Sequence, residues 1–132
     1  MERVDPRAAI CSTAAAMMVP PPFETIQQIF SDNCVTCHSG VDDLDLSSGS
    51  AWRDLVNHPA PAVESCGGTL VVPGDAQASY LMQKLESDHP CAGSRMPQGD
   101  ILPVPLPACV IALVRGWITG GAMNAPADGG TD

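Results

Sequence analysis

Cys34-Val-Thr-Cys37-His38 constrains what this chain can fold into more than any other stretch. Two thiols one helical turn apart match the fixed separation of the vinyl groups on a c-type haem, to which they add. The histidine that follows then turns its imidazole onto the iron face. A chain carrying this motif has to fold around a flat apolar body as well as around its own side chains. Two other chemistries use a C-x-x-C pair. A structural zinc site needs two further ligands, usually a second close pair. Here Cys66, Cys91 and Cys109 stand singly, and there is neither a second C-x-x-C nor an H-x3-H. A redox dithiol sits in a strand-to-helix turn of an α/β fold, and no βαβ pattern is visible in this sequence. Covalent haem is the reading that remains.

The rest of the composition agrees with it. At 132 residues the chain holds one domain and is too short for two ordinary ones. Its hydrophobic fraction of 45% is normal, but only 4% of its residues are aromatic. A small domain with so few large rings gains from a staple or a buried cofactor. Twelve glycines and thirteen prolines predict long loops. The net charge is -9, and the basic residues are only Arg3, Arg7, Arg53, Lys84, Arg95 and Arg115. Nucleic-acid binding needs clustered Lys and Arg to neutralise phosphates, so that class is excluded. No run approaches the ~18 apolar residues of a membrane span.

Along the chain, residues 1–22 read as an N-terminal extension or linker ending in the stiff "VPPP". Its "AAICSTAAAMMV" resembles a signal-peptide core, yet Glu2 and Asp5 spoil a basic leader, so an extension is the preferred reading. Residues 23–123 form the domain. "FETIQQIF" places Phe23, Ile26, Ile29 and Phe30 on one helical face, and that helix should stop at 31–33, just before Cys34. Ser50 is placed to cap a short helix "AWRDLV". "LVV" at 70–72 is at most a short extended piece. "DAQASYLMQKLES" predicts a helix over 75–87 with Ala78, Leu81, Met82 and Leu85 as its stripe. The last helix, "PACVIALVRGWITGG", carries Val110, Leu113, Val114, Trp117 and Ile118, starting at Pro107 and stopping at Gly120 or Gly121. Residues 124–132 read as a flexible tail. The fold class is all-α, with three to four helices and long loops around one covalently attached haem.

The second axial ligand of the iron decides the chemistry. A thioether from methionine closes the site and raises the potential, which suits electron transfer. Met82 lies on a helical stripe, where core packing is the ordinary role, and Met17, Met18 and Met123 lie outside the domain's body. Met96 sits in a loop before Pro97, which keeps it out of helical conformation. Met96 is therefore the first choice, with His58, His89 or an open face as alternatives.

From residue 23 to 123 the chain resembles a bacterial monohaem cytochrome c of the class I kind, in the variant common in planctomycetes and myxobacteria. The resemblance rests on a helix followed by "CVTCH", then "LDL", "PGD" with "SYL", "RMP" and "WITGGA". It implies that Cys34 and Cys37 are the thioether cysteines, His38 the proximal ligand and Met96 the distal one. It also implies that the helix before the motif crosses the C-terminal helix, joining the Ile26/Phe30 face to the Leu113/Trp117 face. The mitochondrial type docks through a lysine-rich face. Here Lys84 is the only lysine, so partners inferred from that type do not carry over.

The remaining residues take supporting roles. Arg95 is placed to pair with a haem propionate, or is a plain surface arginine. Trp117 and Trp52 are candidates to wall the haem, although Trp117 on a helical stripe is first a core residue. Cys66 and Cys91 flank the 75–87 helix and are expected to form a disulfide; Cys11 with Cys109 is the weaker pairing, one that would tie the extension to the last helix. "DDLD" (42–45) lacks the alternation and terminal Glu of a calcium loop and reads as a solvated acidic loop. The expected function is one-electron transfer between redox partner proteins, not enzymatic turnover, on the periplasmic or extracellular side of a bacterial membrane, where disulfides persist. Two alternatives stay open. One is a haem relay and structural subunit of a larger respiratory or photosynthetic complex. The other is an open-site haem enzyme or gas sensor, should Met96 not bind iron.

Overall fold

Four α-helices and two short 3-10 segments make up the regular structure of the residues described: 6–34, 45–59, 68–87, 95–96 and 105–124 of this computed structural model. The helices are α1 (Phe23–Asn33), α2 (Ala51–Leu55), α3 (Tyr80–Glu86) and α4 (Ala108–Thr119). The 3-10 segments, Pro6–Ser12 and Ala15–Met17, lie in the N-terminal stretch. Among the described residues there is no strand, only isolated bridges joining Val56 to Val71, Pro59 to Thr69 and Thr69 to Ser79. The all-α expectation holds at this level. No helix among the described residues is long and apolar enough to cross a membrane.

α1 begins where Pro22, in extended conformation, ends the proline run and its carbonyl accepts the Thr25 amide at 3.0 Å. Glu24 in the first turn complements the positive end of the helix. Ile26, Ile29 and Phe30 are buried as the apolar period requires. At the other end, Asn33 Nδ2 donates to the Ile29 carbonyl of the turn before it at 2.8 Å. α1 packs on α4, with the rings of Phe23 and Trp117 5.3 Å apart and tilted by 41°. α3 also packs on α4, and Glu86 and Arg115 form an ion pair between them. Trp117, Phe30, Ile26, Ile29, Leu55 and Ile118 are the largest fully buried side chains, so α1, α2 and α4 supply the bulk of the core.

α3 is shorter than the sequence predicts. Its first helical residue is Tyr80, not a residue near Asp75. Asp75 Oδ1 accepts the Ala78 amide at 3.1 Å, but that turn does not propagate. Instead the Ser79 hydroxyl accepts the Val72 amide at 2.8 Å, and the Tyr80 and Leu81 amides donate to the Thr69 and Leu70 carbonyls respectively, both at 2.9 Å. The extended 69–72 stretch thus takes the hydrogen bonds that a longer helix would have used. In consequence Ala76 is buried and Ala78 exposed, while Met82 and Leu85 stay in the core. Ser50 does occupy the N-cap of α2, but its hydroxyl does not cap the helix; it accepts instead from Arg53 Nη2 at 3.4 Å.

The N-terminal stretch lies along α4. Arg7 Nη2 donates to the Pro105 carbonyl at 2.9 Å, and Cys11 and Cys109 are joined as a disulfide with Cα atoms 6.3 Å apart. Further on, Pro21 approaches Gly116 and Pro20 presses on Gly120. Residues 6–22 therefore run beside α4 in the same direction before the prolines turn the chain into α1. Small residues at 116 and 120 leave room for that passage.

Candidate functional site

Cys34 is the residue at which α1 stops. Its amide still donates to the Phe30 carbonyl at 2.8 Å, while its own φ of -126° leaves the helical region. The side chain is half-buried, packs against the hydrophobic core, and is a thiol in this structure. The first cysteine of the motif thus stands at the edge of the core, held by a rigid helix. Cys37 and His38 lie outside the described residues, as do His89, Cys66 and Cys91.

Met96 is brought to the same core from the opposite direction in sequence. It is half-buried and packed against the apolar cluster that Cys34 also touches. Its amide donates to the Lys84 carbonyl at 2.7 Å, and Arg95 Nε donates to the Leu85 carbonyl at 2.9 Å. Both bonds use carbonyls of the last turn of α3, which have no intrahelical partners. A loop residue that nothing in the local sequence pattern anchors is in this way held against a helix end. Burial pushes the half-buried Lys84 ammonium below its ordinary 10.5.

Trp117 is 1% exposed, and its Nε1 donates to the Met123 carbonyl at 2.9 Å. Trp52 is half-buried, and its Nε1 donates to the Ala122 carbonyl at 2.8 Å. The two indoles together pin the chain as it turns away from α4 at Gly120 and Gly121. That bracing was not visible in the sequence, because the acceptor carbonyls belong to a stretch without any pattern of its own. His58, an alternative axial ligand, is exposed in the turn after α2, where its amide and carbonyl bond to Leu55 and Leu70.

Among the described residues no three His, Cys, Asp or Glu side chains converge as a metal cluster would require. Of the expected haem-binding residues, Cys34, a thiol, and Met96, a thioether, pack against the core, which also contains the Met82 thioether. A thiol is the chemistry to which a haem vinyl group adds, and a thioether the chemistry that closes a low-spin iron site. Comparison with family models, with curated proteins and with solved structures returns no match.

Proposed function

We propose that this chain transfers one electron at a time through a covalently attached c-type haem, outside the cytoplasm. In this reading Cys34 and Cys37 would hold the haem by thioether bonds, and His38 and Met96 would bind its iron. The observation that carries it is that the C-x-x-C-H motif begins where α1 ends, with Cys34 half-buried at the edge of the core that also holds Met96.

The haem supplies an iron centre that accepts and gives back a single electron. The chain supplies position and exclusion of water. α1 and α4 form a packed apolar wall, and a packed wall resists displacement when the charge on a neighbouring group changes. The carbonyls of Lys84 and Leu85 hold the Arg95–Met96 segment at two points, so the thioether needs little rearrangement between oxidation states. The Cys11–Cys109 disulfide supports an oxidising compartment. Partners in this reading are redox proteins whose docking faces tolerate an acidic surface.

The test is production of the chain in a bacterium competent in c-type haem maturation, followed by mass spectrometry and spectra of ferric and ferrous protein. One haem mass that survives denaturation, and that is lost in a Cys34→Ala/Cys37→Ala variant, is the expected result. A colourless product carrying zinc, or haem that dissociates on denaturation, would overturn the proposal.

A further inference from the structure

Residues 6–19 form a strap whose course follows one stripe of α4. Cys109 takes the disulfide to Cys11, a Cβ on Gly116 would lie 3.6 Å from Pro21 Cδ, and Gly120 faces Pro20. With Leu113, these positions recur at steps of four, three and four residues, so they line one side of the helix. Leu113 on this side is half-buried, whereas Val110, Val114, Trp117 and Ile118 on the other are buried in the core.

The strap has little burial of its own. No residue of Pro6–Ser12 is fully buried, and Ile10 and Cys11 reach only the edge of the core. The Thr13 and Met17 amides donate to the Ile10 and Ala14 carbonyls, both within the strap. The bond from Arg7 to the Pro105 carbonyl is exposed. Pro21 and Pro22, by contrast, are buried where the chain enters α1. A segment with so few buried groups opens locally, well below the free energy of global unfolding. Its opening ends at the buried prolines.

The disulfide that fastens the strap is open to chemistry at one of its two sulfurs. Cys109 is exposed and Cys11 half-buried. Cys109 is also the second residue of α4, whose first turn holds no acidic residue and whose N-cap, Pro107, contributes no side-chain hydrogen bond. The helix amides there favour negative charge on a departing sulfur.

We propose that the Cys11–Cys109 disulfide is a redox-sensitive clasp, which a dithiol reductant opens to release residues 6–19 from α4. One thiolate of the reductant attacks the exposed Cys109 sulfur. The Cys11–Cys109 bond breaks, and Cys11 leaves as a thiolate that takes a proton from water. The second thiolate then attacks the reductant sulfur of the mixed disulfide, and Cys109 leaves in turn. The protein gains two electrons and two protons, and the dithiol becomes a disulfide. The core stays packed, because none of its buried residues belongs to the strap. The clasp does not depend on the haem reading.

The test treats the full oxidised chain with dithiothreitol at neutral pH without denaturant. Alkylation of Cys11 and Cys109 is followed by peptide-resolved mass spectrometry, with hydrogen exchange on the same samples. Both cysteines are expected to become alkylated while far-ultraviolet circular dichroism is retained. With a monothiol in place of the dithiol, the mixed disulfide is expected on Cys109. The Thr13 and Met17 amides should lose protection, while α1 and residues 114–118 keep theirs. A Cys11→Ser/Cys109→Ser variant should show the released pattern from the start and not respond to reductant. A bond that opens only in urea sufficient to unfold the chain would overturn the proposal and make the disulfide a structural staple. So would a reduced protein whose strap exchanges as slowly as the oxidised one, or a mixed disulfide found on Cys11 alone.

Discussion

The Met96 amide donates to the Lys84 carbonyl at 2.7 Å, so the loop carrying the proposed distal ligand is an appendage of the α3 C-terminus. Arg95 adds a second attachment through the Leu85 carbonyl, and its positive charge sits at the negative end of the helix. Arg95→Ala is expected to lower stability by about 1–2 kcal/mol, measured by urea unfolding. Arg95→Lys should recover only part, because an ammonium lacks the planar Nε–H that makes this bond. An Arg95→Ala protein as stable as the wild type would show that Lys84 alone secures the loop.

Met96→Ala separates ligation from folding. The anchoring bond comes from the backbone and survives the substitution, while the half-buried side chain contributes only part of a core residue's packing. Stability should therefore fall by no more than about 1–3 kcal/mol. The weak far-red sulfur-to-iron band of the ferric protein should vanish altogether. Survival of that band in the variant would assign the ligand to another methionine, and its absence from the wild type would favour His58, His89 or an open face.

The Cys11–Cys109 bridge spans a sequence separation of 98 residues. A cross-link across so long a loop restricts the unfolded chain strongly, and a contribution of about 3–4 kcal/mol is expected. Cys11→Ser/Cys109→Ser should show that deficit in denaturant unfolding, and a reducing agent should bring the wild type down to the variant. The variant should also lose amide-exchange protection in the Pro6–Ser12 segment ahead of α1, since α1 remains buried against α4. Equal stability of variant and oxidised wild type would mean that the packing of residues 6–22 does not depend on the bridge.

The sequence revealed the elements whose stabilising partners are local. α1 stops at Asn33 because polar Ser31, Asp32 and Asn33 end the apolar period, and α4 (Ala108–Thr119) is bounded by Pro107 and Gly120 because proline and glycine punctuate it. It misplaced the start of α3, where the deciding hydrogen bonds reach back to Thr69 and Leu70. No periodicity within 75–79 reports that competition. The course of residues 6–22 was equally hidden except for one clue, the Cys11–Cys109 pairing; an alanine- and proline-rich stretch has no pattern, and its groove is made by glycines a hundred residues away. At the candidate site, chemistry singled out Cys34 and Met96 as candidates, but the helix end that anchors Met96 could not be read from the sequence.

Asp45 gives the chain a defined acid response. Its carboxylate accepts hydrogen bonds from the Ser47 hydroxyl and from the Ser47 amide, the latter at 3.0 Å, and these hold its pKa below the ordinary 3.8. Because the folded value is depressed, the stabilisation is complete above about pH 4 and is lost as pH falls from 3.8 through the folded pKa. Asp45→Asn should thus narrow its stability gap to the wild type as pH drops through that window. Ser47→Ala should move the Asp45 carboxyl titration, followed by NMR, upward towards 3.8. An unmoved titration would show that the amide bond alone holds the carboxylate.

Gly120 tests how tightly the N-terminal stretch is seated on α4. Its backbone is not in the left-handed region (φ -80°), so alanine is tolerated by the local conformation. A Cβ there would nevertheless stand 2.5 Å from Pro20 Cβ and 2.7 Å from Pro20 Cγ. Rigid ring atoms cannot swing aside, so Gly120→Ala should cost about 1–3 kcal/mol through overpacking. Removing both opposing ring atoms with Pro20→Gly should relieve much of that cost, making the double variant more stable than the sum of the single changes predicts. Strict additivity in urea unfolding would mean that the strap lifts from α4 without penalty and that the close approach of Pro20 contributes nothing to the fold.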